Sequence, residues 1–281
     1  MTHVFSDIET QHIKTLMQIA FAEDRAGEDI TSRAIFTQGE RMEARIVARE
    51  KLVFAGEAVV PILLEVYAKT SISVATQDGT VLQAGDVIGT ISGAAVDVLA
   101  LERTLLNVLQ RLCGVATLTR QFVEAVADTK AKILDTRKTI PGWRALDKYA
   151  VKCGCGHNHR MNLASEVMIK DNHIAAAGSM EEAIQRVLPL KHQGIAVVVE
   201  CDTLAQVAIA MQQPISRILL DNMPPEVLAK AVALVGGAVP LEASGGVSLS
   251  TIRAIAETGV DFISVGQITH SAPAADIGLD F

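Results

Sequence analysis

Two periodicities divide the chain. Apolar residues recur at helical spacing from Ile8 to Ala26, which predicts an amphipathic helix. RMEARIVARE (Arg41–Glu50) alternates apolar and polar residues as a half-buried strand does. A helix over Glu57–Ala68 follows, then short strands between Ser71 and Ile91 around the turn pairs Asp78-Gly79 and Gly85-Asp86. Val96–Ala127 reads as a long helical stretch with Gly114 as its break. From Ile133 onward, short apolar runs recur at KILD, VMIK, AVVVE, RILLD, PLEA and FISV, with helical patterns between most of them. Ser179-Met180-Glu181-Glu182 is a capping box, Asp202 and Ser248 are N-cap candidates and Gly259 is a helix stop. Strand–helix alternation builds a parallel sheet with right-handed crossovers. Six runs rather than eight predict an α/β chain, with an N-terminal α+β half and an open or incomplete barrel; a doubly wound open sheet is the alternative.

Composition narrows the class. The 281 residues are 49% apolar, 20% charged and 4% aromatic, which excludes disorder and suits an aliphatic α/β interior. A net charge of −7 argues against nucleic acid or anionic membrane as the main partner. MTHVFSDIETQ lacks the basic and apolar regions of a secretory signal. The best membrane candidate, Ala94–Thr119, is interrupted by Asp97, Glu102, Arg103 and Arg111. Four cysteines fall far below disulfide-scaffold density, so a cytoplasmic protein is expected.

The runs end in polar residues: Asp135-Thr136-Arg137-Lys138, Lys170-Asp171-Asn172-His173, Glu200, Asp221-Asn222, Ser244-Gly245-Gly246 and Gly266-Gln267-Ile268-Thr269-His270. Parallel α/β folds place active sites at the carboxyl ends of strands, so these residues are expected at one mouth. Between Asp135 and His173 there are seven Lys/Arg and four Asp/Glu, a local balance of +3. Arg144, Lys148 and Lys152 read as a solvated face, whereas Arg137, Lys138, Arg160 and Lys170 sit at strand ends or beside a glycine-rich turn. Arginine forks hold carboxylates and phosphates, which points to an anionic substrate with more than one acidic group. Glu200 and Asp221 end successive strands and could ligate Mg²⁺ carried in on substrate phosphates, or serve as plain capping carboxylates. Ser244-Gly245-Gly246, before a helix opening near Ser248, and the Gly266 loop are phosphate-cradle candidates. Cys153-Gly154-Cys155-Gly156-His157-Asn158-His159 offers a non-enzymatic alternative, a metal-binding protein, although structural zinc sites space their ligands more widely. Cys113 and Cys201 read as buried thiols. A Schiff-base aldolase using Lys170 is a further alternative.

DTRKT-PG (Asp135–Gly142), KYAVKCGCGHNHR (Lys148–Arg160) and MIKDNH (Met168–His173), followed by VVVE, LLDNM, LEASGG and ISVGQITH, closely resemble the quinolinate phosphoribosyltransferases. The likeness runs in order from Asp29-Ile30-Thr31 to Asp276–Phe281. It implies an N-terminal α/β sandwich domain over residues 1–110, with the tail 271–281 returning to it, and a six-stranded incomplete barrel over 111–270. It further implies a homodimer with shared active sites, transfer of phosphoribosyl from phosphoribosyl pyrophosphate (PRPP) to quinolinate with loss of CO₂, and a magnesium requirement. Carried over by position, Arg137, Arg160 and the partner subunit's Arg103 would clamp the two quinolinate carboxylates. Thr136, His159, Lys138 and Lys170 would line the same pocket. Glu200 and Asp221 would serve the ribose and Mg²⁺. Ser244, Gly245, Gly246, Gly266 and His270 would hold the 5′-phosphate, flanked by Val265 and Gln267. The resemblance leaves open an acceptor such as nicotinate or another ring acid. The chain departs from the family's usual pattern at Cys155, where the turn ordinarily reads Gly-Gly-Gly, and at Trp143 and Met161-Asn162.

Overall fold

The computed structural model of the chain describes residues 4–37 and 39–281. They fall into two compact units. The first gathers the residues up to Arg120, Thr139–Cys155 and Ser271–Phe281; the second is Gln121–Lys138 and Gly156–His270. The first unit's N-terminal part runs to Arg120, within the helix Ala95–Ala125.

In the first unit, helix Asp7–Glu23 opens on a capping box. The Ser6 hydroxyl accepts the Glu9 N–H, and the Glu9 carboxylate accepts the Ser6 N–H at 2.9 Å. Ile13 and Met17, one turn apart, are its buried positions. The strands that follow are β1 (Arg41–Ala48), β2 (Leu52–Val53), β3 (Thr70–Val74), β4 (Val81–Leu82) and β5 (Val87–Ala94). The helix predicted over Glu57–Ala68 shortens to Val60–Val66, with Pro61 in its first turn. β5 pairs antiparallel with β1 on one side and β3 on the other. The last strand of the chain, Ile277–Asp280, pairs antiparallel with the remaining edge of β1. β2 and β4 form a separate ribbon.

Gly114 does not break its helix. The returning C-terminal segment lies along it: the Gln110 carbonyl accepts the Ala275 N–H at 2.9 Å, and Gln110 Nε2 donates to the Ile277 carbonyl at 2.9 Å. A Cβ at position 114 would fall on the carbonyl oxygen of Pro273. The glycine is therefore there for close approach of two backbones, at a helix-propensity cost of about 1 kcal/mol.

The second unit holds β6 (Lys132–Leu134), β7 (Val167–Ile169), β8 (Val197–Cys201), β9 (Arg217–Asp221), β10 (Leu241–Ser244) and β11 (Phe262–Ser264), matching the six apolar runs. All neighbours are parallel, in the order β6-β11-β10-β9-β8-β7. β6 and β7 do not pair with each other, which makes the sheet an incomplete barrel. Residue 157 occupies part of the free edge of β6, donating its N–H to the Ile133 carbonyl at 2.9 Å and accepting the Asp135 N–H at 3.1 Å. Glu200 lies opposite Leu219, and Leu219 opposite Glu242. Period two therefore puts Glu200, Arg217, Leu219, Asp221, Glu242 and Ser244 on one face. The other face is aliphatic and buried, with Val197, Val199, Ile218, Leu220, Leu241 and Ala243.

Helix starts in this unit differ from two of the cap assignments. Ser179 accepts the Glu182 N–H at 3.1 Å, but the Glu182 carboxylate turns to Arg186, so only half of the expected capping box forms. Thr203, not Asp202, caps Leu204–Ala210: its hydroxyl accepts the Gln206 N–H, while the Gln206 amide oxygen takes the N–H groups of Asp202 and Thr203. That reciprocal arrangement satisfies more donors than a lone aspartate. The helix expected near Ser248 begins at Ile252, with Thr251 at its N-cap, and the Ser248 carbonyl accepts from both Thr251 and Ile252.

The Gly114 contact gives the first prediction. Gly114→Ala should lower the melting temperature, with a cost of about 1–3 kcal/mol from overpacking against Pro273. An unchanged melting temperature would show that the tail yields freely.

Candidate active site

The carboxyl ends of the barrel strands surround a cavity of about 490 Å³. Thr136, Arg137 and Lys138 reach it from the loop after β6, where the Lys138 N–H donates to the Thr136 hydroxyl at 2.9 Å. The buried Thr269 hydroxyl donates to the Lys138 carbonyl at 2.8 Å and fixes that loop from the other end. His159 and Arg160 enter from the segment beside β6, where buried Asp135 accepts the His159 N–H at 2.9 Å. Lys170 follows β7, Glu200 lies in β8 and Asp221 ends β9; all three line the cavity. Ser244, Gly245 and Gly246 follow from β10 and line it too.

The cations in this cavity are not left to repel one another. Lys170 Nζ is ion-paired with the Glu200 carboxylate. Arg160 Nη1 donates to the Glu166 carbonyl at 3.1 Å, and Nη2 lies 3.5 Å from the Met168 sulfur. Burial, and then the neighbouring charge of Arg137, lowers the pKa of the Arg160 guanidinium, which at pH 7 remains charged.

Gly245 shows why this loop needs glycine. Its φ is +93°, and a Cβ would collide with the Asn222 side chain. Asn222 itself takes a left-handed conformation, φ 53°, and its amide donates to Asp221 at 2.6 Å. Ser244-Gly245-Gly246, expected at a helix start, lies instead in a loop, because the next helix begins only at Ile252.

Val265, Gly266, Gln267 and His270 do not line the cavity. Val265 is fully buried and donates its N–H to the Leu134 carbonyl at 2.9 Å. Gly266 faces the His270 ring and the Lys138 side chain, so these two lie beside the cavity's Lys138 wall. Arg103 belongs to the first unit, where it is exposed on its helix and lines a separate cavity of about 270 Å³ with Met17, Asn107 and Trp143.

The Cys153–His159 stretch does not assemble a metal centre: among the described residues no group of three or more His, Cys, Asp or Glu could hold an ion. Burial raises the Cys153 thiol pKa well above its ordinary value. Cys155 is exposed, takes φ 66° and accepts from Arg120 Nη2 at 3.1 Å. That backbone costs a residue with a Cβ about 1–2 kcal/mol. Cys113 and Cys201 are buried, and burial pushes both thiols up to about 12.

Residues 29–113 match the N-terminal domain, and residues 115–280 the C-terminal domain, of the family described as quinolinate phosphoribosyl transferase. The chain belongs to the quinolinate phosphoribosyltransferase family. It is 41% identical over 284 residues to the nicotinate-nucleotide pyrophosphorylase (carboxylating) of Mycobacterium leprae, covering 99% of this chain and 100% of that protein. The probable nicotinate-nucleotide pyrophosphorylase (carboxylating) of Bacillus subtilis is 40% identical over 269 residues, 95% of this chain and 93% of that one. The crystal structure of NadC from Streptococcus pyogenes has a TM-score of 0.92 at 34% identity, covering 100% of this chain and 98% of that one.

This quinolinate phosphoribosyltransferase family member also has site-lining residues that sequence reasoning did not single out. Glu242, in the run PLEA, is fully buried and borders the cavity floor. Its Oε1 accepts from Ser264 and lies 3.4 Å from His159 Nε2, while Oε2 is 2.8 Å from Arg217 Nε. Arg217 in turn holds Glu166 at 2.9 Å and lies over the Phe262 ring. A lone charge inside an apolar run was the available signal.

Glu242 supplies a pH prediction. Desolvation opposes its charge, but His159, Arg217 and Ser264 outweigh that effect and hold its pKa below the ordinary 4.5. A carboxylate depressed on folding contributes stability above its unfolded pKa and loses it as pH falls through the folded one. Glu242→Gln should therefore cost on the order of 3 kcal/mol at pH 7. In thermal melts the gap to wild type should narrow on acidification below about pH 4.5; a constant gap would contradict the assignment.

Proposed function

We propose that this chain transfers the phosphoribosyl group of PRPP to the ring nitrogen of quinolinate, giving nicotinate mononucleotide, pyrophosphate and CO₂ in NAD biosynthesis. One observation carries the reading: Arg137, Lys138, Arg160 and Lys170 share a single cavity with Glu200 and Asp221, in a chain that matches both domains of the family. Quinolinate is a dicarboxylate, and guanidinium forks from two different loops suit two carboxylates on one ring.

Arg137 and Arg160 bind the acceptor and align its nitrogen with ribose C1, a positioning effect worth several kcal/mol, roughly. His159 lies at the floor of the same pocket, and Thr136 fixes the turn that presents Lys138. As pyrophosphate leaves, C1 gains positive charge, which Glu200 and Asp221 stabilise. Lys138 and Lys170 hold the pyrophosphate oxygens, and Lys170 does so once it exchanges its Glu200 partner for substrate. In this reading Ser244, Gly245 and Gly246, which line the cavity, would hold the 5′-phosphate, with Gly266 and His270 beside Lys138. Val265 and Gln267 flank that contact, Val265 through its N–H bond to the Leu134 carbonyl. The new pyridinium nitrogen then stabilises the carbanion left by loss of the 2-carboxylate.

Magnesium belongs to the same proposal. Glu200 and Asp221 are hard oxygen donors on adjacent strands and one face, and two carboxylates suit an ion that arrives on phosphates rather than one caged by protein alone. When bound it neutralises charge on the departing pyrophosphate. The chain acts as a homodimer in this reading, with the partner subunit's Arg103 completing the acceptor clamp; supporting it, Arg103 is exposed on its helix and free to face another subunit. A cytoplasmic setting is proposed too, supported by four cysteines that are all free thiols. Among the described residues, no helix is long and apolar enough to cross a membrane.

The test is turnover with PRPP and Mg²⁺, quinolinate and nicotinate being run in parallel. Quinolinate alone should yield nicotinate mononucleotide and CO₂, and Arg137→Ala should lower kcat/KM at least about tenfold. Turnover of nicotinate alone would overturn the dicarboxylate assignment. Unchanged kinetics in folded Arg137→Ala would remove that residue from the clamp.

A further inference from the structure

Beneath the cavity floor, where α/β barrels ordinarily stack aliphatic layers, this barrel carries charge. Arg217 opens β9 and points to the same face as Leu219 and Asp221. Its guanidinium lies between two glutamates, with Nη2 2.9 Å from Glu166 Oε1 and Nε 2.8 Å from Glu242 Oε2. The side chains of Arg217, Glu166 and Glu242 are 16%, 13% and 0% exposed, so none is an ordinary surface charge.

Glu166 is the informative member. Its carboxylate is held from below by Arg217, while its backbone carbonyl accepts from Arg160 Nη1 at 3.1 Å. One residue thus ties the barrel interior to the guanidinium that faces the cavity. His159 is held by the same cluster. Its Nδ1 accepts the Arg160 N–H at 2.6 Å, and its Nε2 faces Glu242 at 3.4 Å. Both ring nitrogens therefore have partners within the protein, and the backbone of residues 159–160 is fixed from β6 by Asp135.

We propose that Glu166 and Arg217 are positioning residues for the acceptor clamp: Arg217, itself anchored on Glu242, fixes the Glu166 segment so that the Glu166 carbonyl aims the Arg160 guanidinium into the cavity. Neither residue touches the reacting atoms. They act through Arg160, whose neighbour His159 is held by the same cluster. A buried ion cluster is not by itself a gain in stability, since apolar replacements of similar volume are often as stable. What the cluster supplies is a fixed direction for a long side chain that would otherwise sample several rotamers in a half-open cavity. The PRPP-facing groups hang on other supports, Lys138 on Thr136 and Thr269 and Asp221 on Asn222. The effect should therefore fall on one substrate only.

The proposal rests on the quinolinate reading, and its test separates the two. Wild type, Glu166→Gln, Arg217→Met and Arg160→Ala are assayed at saturating levels of each substrate in turn, with melting curves to confirm folding. Glu166→Gln and Arg217→Met should raise the quinolinate KM by about tenfold while leaving the PRPP KM within about twofold. In an Arg160→Ala background, neither change should raise the quinolinate KM further, because the route runs through Arg160. Equal effects on both KM values, additive effects with Arg160→Ala, or a loss of melting temperature with both KM values unchanged would overturn the proposal and leave a structural role. Should Arg217→Met fail to fold, the isosteric Glu166→Gln decides alone. Absence of quinolinate turnover in wild type would sink the functional reading, and this proposal with it, whereas turnover without the KM split sinks only the proposal.

Discussion

Like charges crowded into a half-buried cavity must be given counter-charges, and that constraint organises the barrel. Arg137, Lys138, Arg160 and Lys170 line one cavity of about 490 Å³. Two unit charges about 4 Å apart repel by about 4 kcal/mol at an effective dielectric of about 20, so four cations cannot gather without anions nearby. The strands supply them. Glu200 pairs with Lys170 and Arg217 joins Glu166 to Glu242, while Asp221 lies at the end of β9. Each anion comes from the strand face that looks into the barrel or from a loop that caps it. The face that looks away remains aliphatic, with Ile218 and Leu220 fully buried, and carries the burial free energy that lets the inner face be polar.

That division explains which parts of the molecule could be read from the chain. The six strands were legible because each is a short aliphatic run ended by a charged or glycine residue, and RILLD and AVVVE map onto β9 and β8. The residues at their ends were legible for the same reason. Glu242 was not, since a single acid within PLEA is indistinguishable from a strand-edge charge until its partners are known. Arg217 and Glu166 were missed likewise, because their meaning lies in contacts across about 50 residues of chain, for which no local pattern exists. Gly114 misled for a different reason. Glycine in a helical pattern signals either a break or a close approach, and only the position of Pro273 separates the two. The first cap moved by one residue because the Thr203 hydroxyl, not Asp202, takes the Gln206 N–H, and the later helix starts at Ile252 because the Ser248 carbonyl first turns back to the N–H groups of Thr251 and Ile252. Arg103 was assigned a role only through resemblance to a family, since on its own helix it is an exposed charge like any other.

The same arrangement makes the site a compromise between rigidity and exchange. In the proposed reaction the Lys170–Glu200 pair opens when substrates arrive, and Lys170 is the more exposed of the two partners, which keeps that exchange inexpensive. Arg217 and Glu242 sit deeper and have no such role, so their pairing can be permanent. Cys155 shows how much departure the turn tolerates. It accepts a left-handed backbone where the family's usual glycine would have none of the strain, and contact with Arg120 steadies its side chain.

The central claim is that the cavity's cations are matched to an acceptor bearing two carboxylates. Isothermal titration calorimetry of the unmodified protein with quinolinate and with nicotinate, at one ionic strength, tests it without depending on turnover. The account predicts quinolinate binding at least about tenfold tighter, a difference of about 1.4 kcal/mol or more. Equal affinities for the two acids would contradict it.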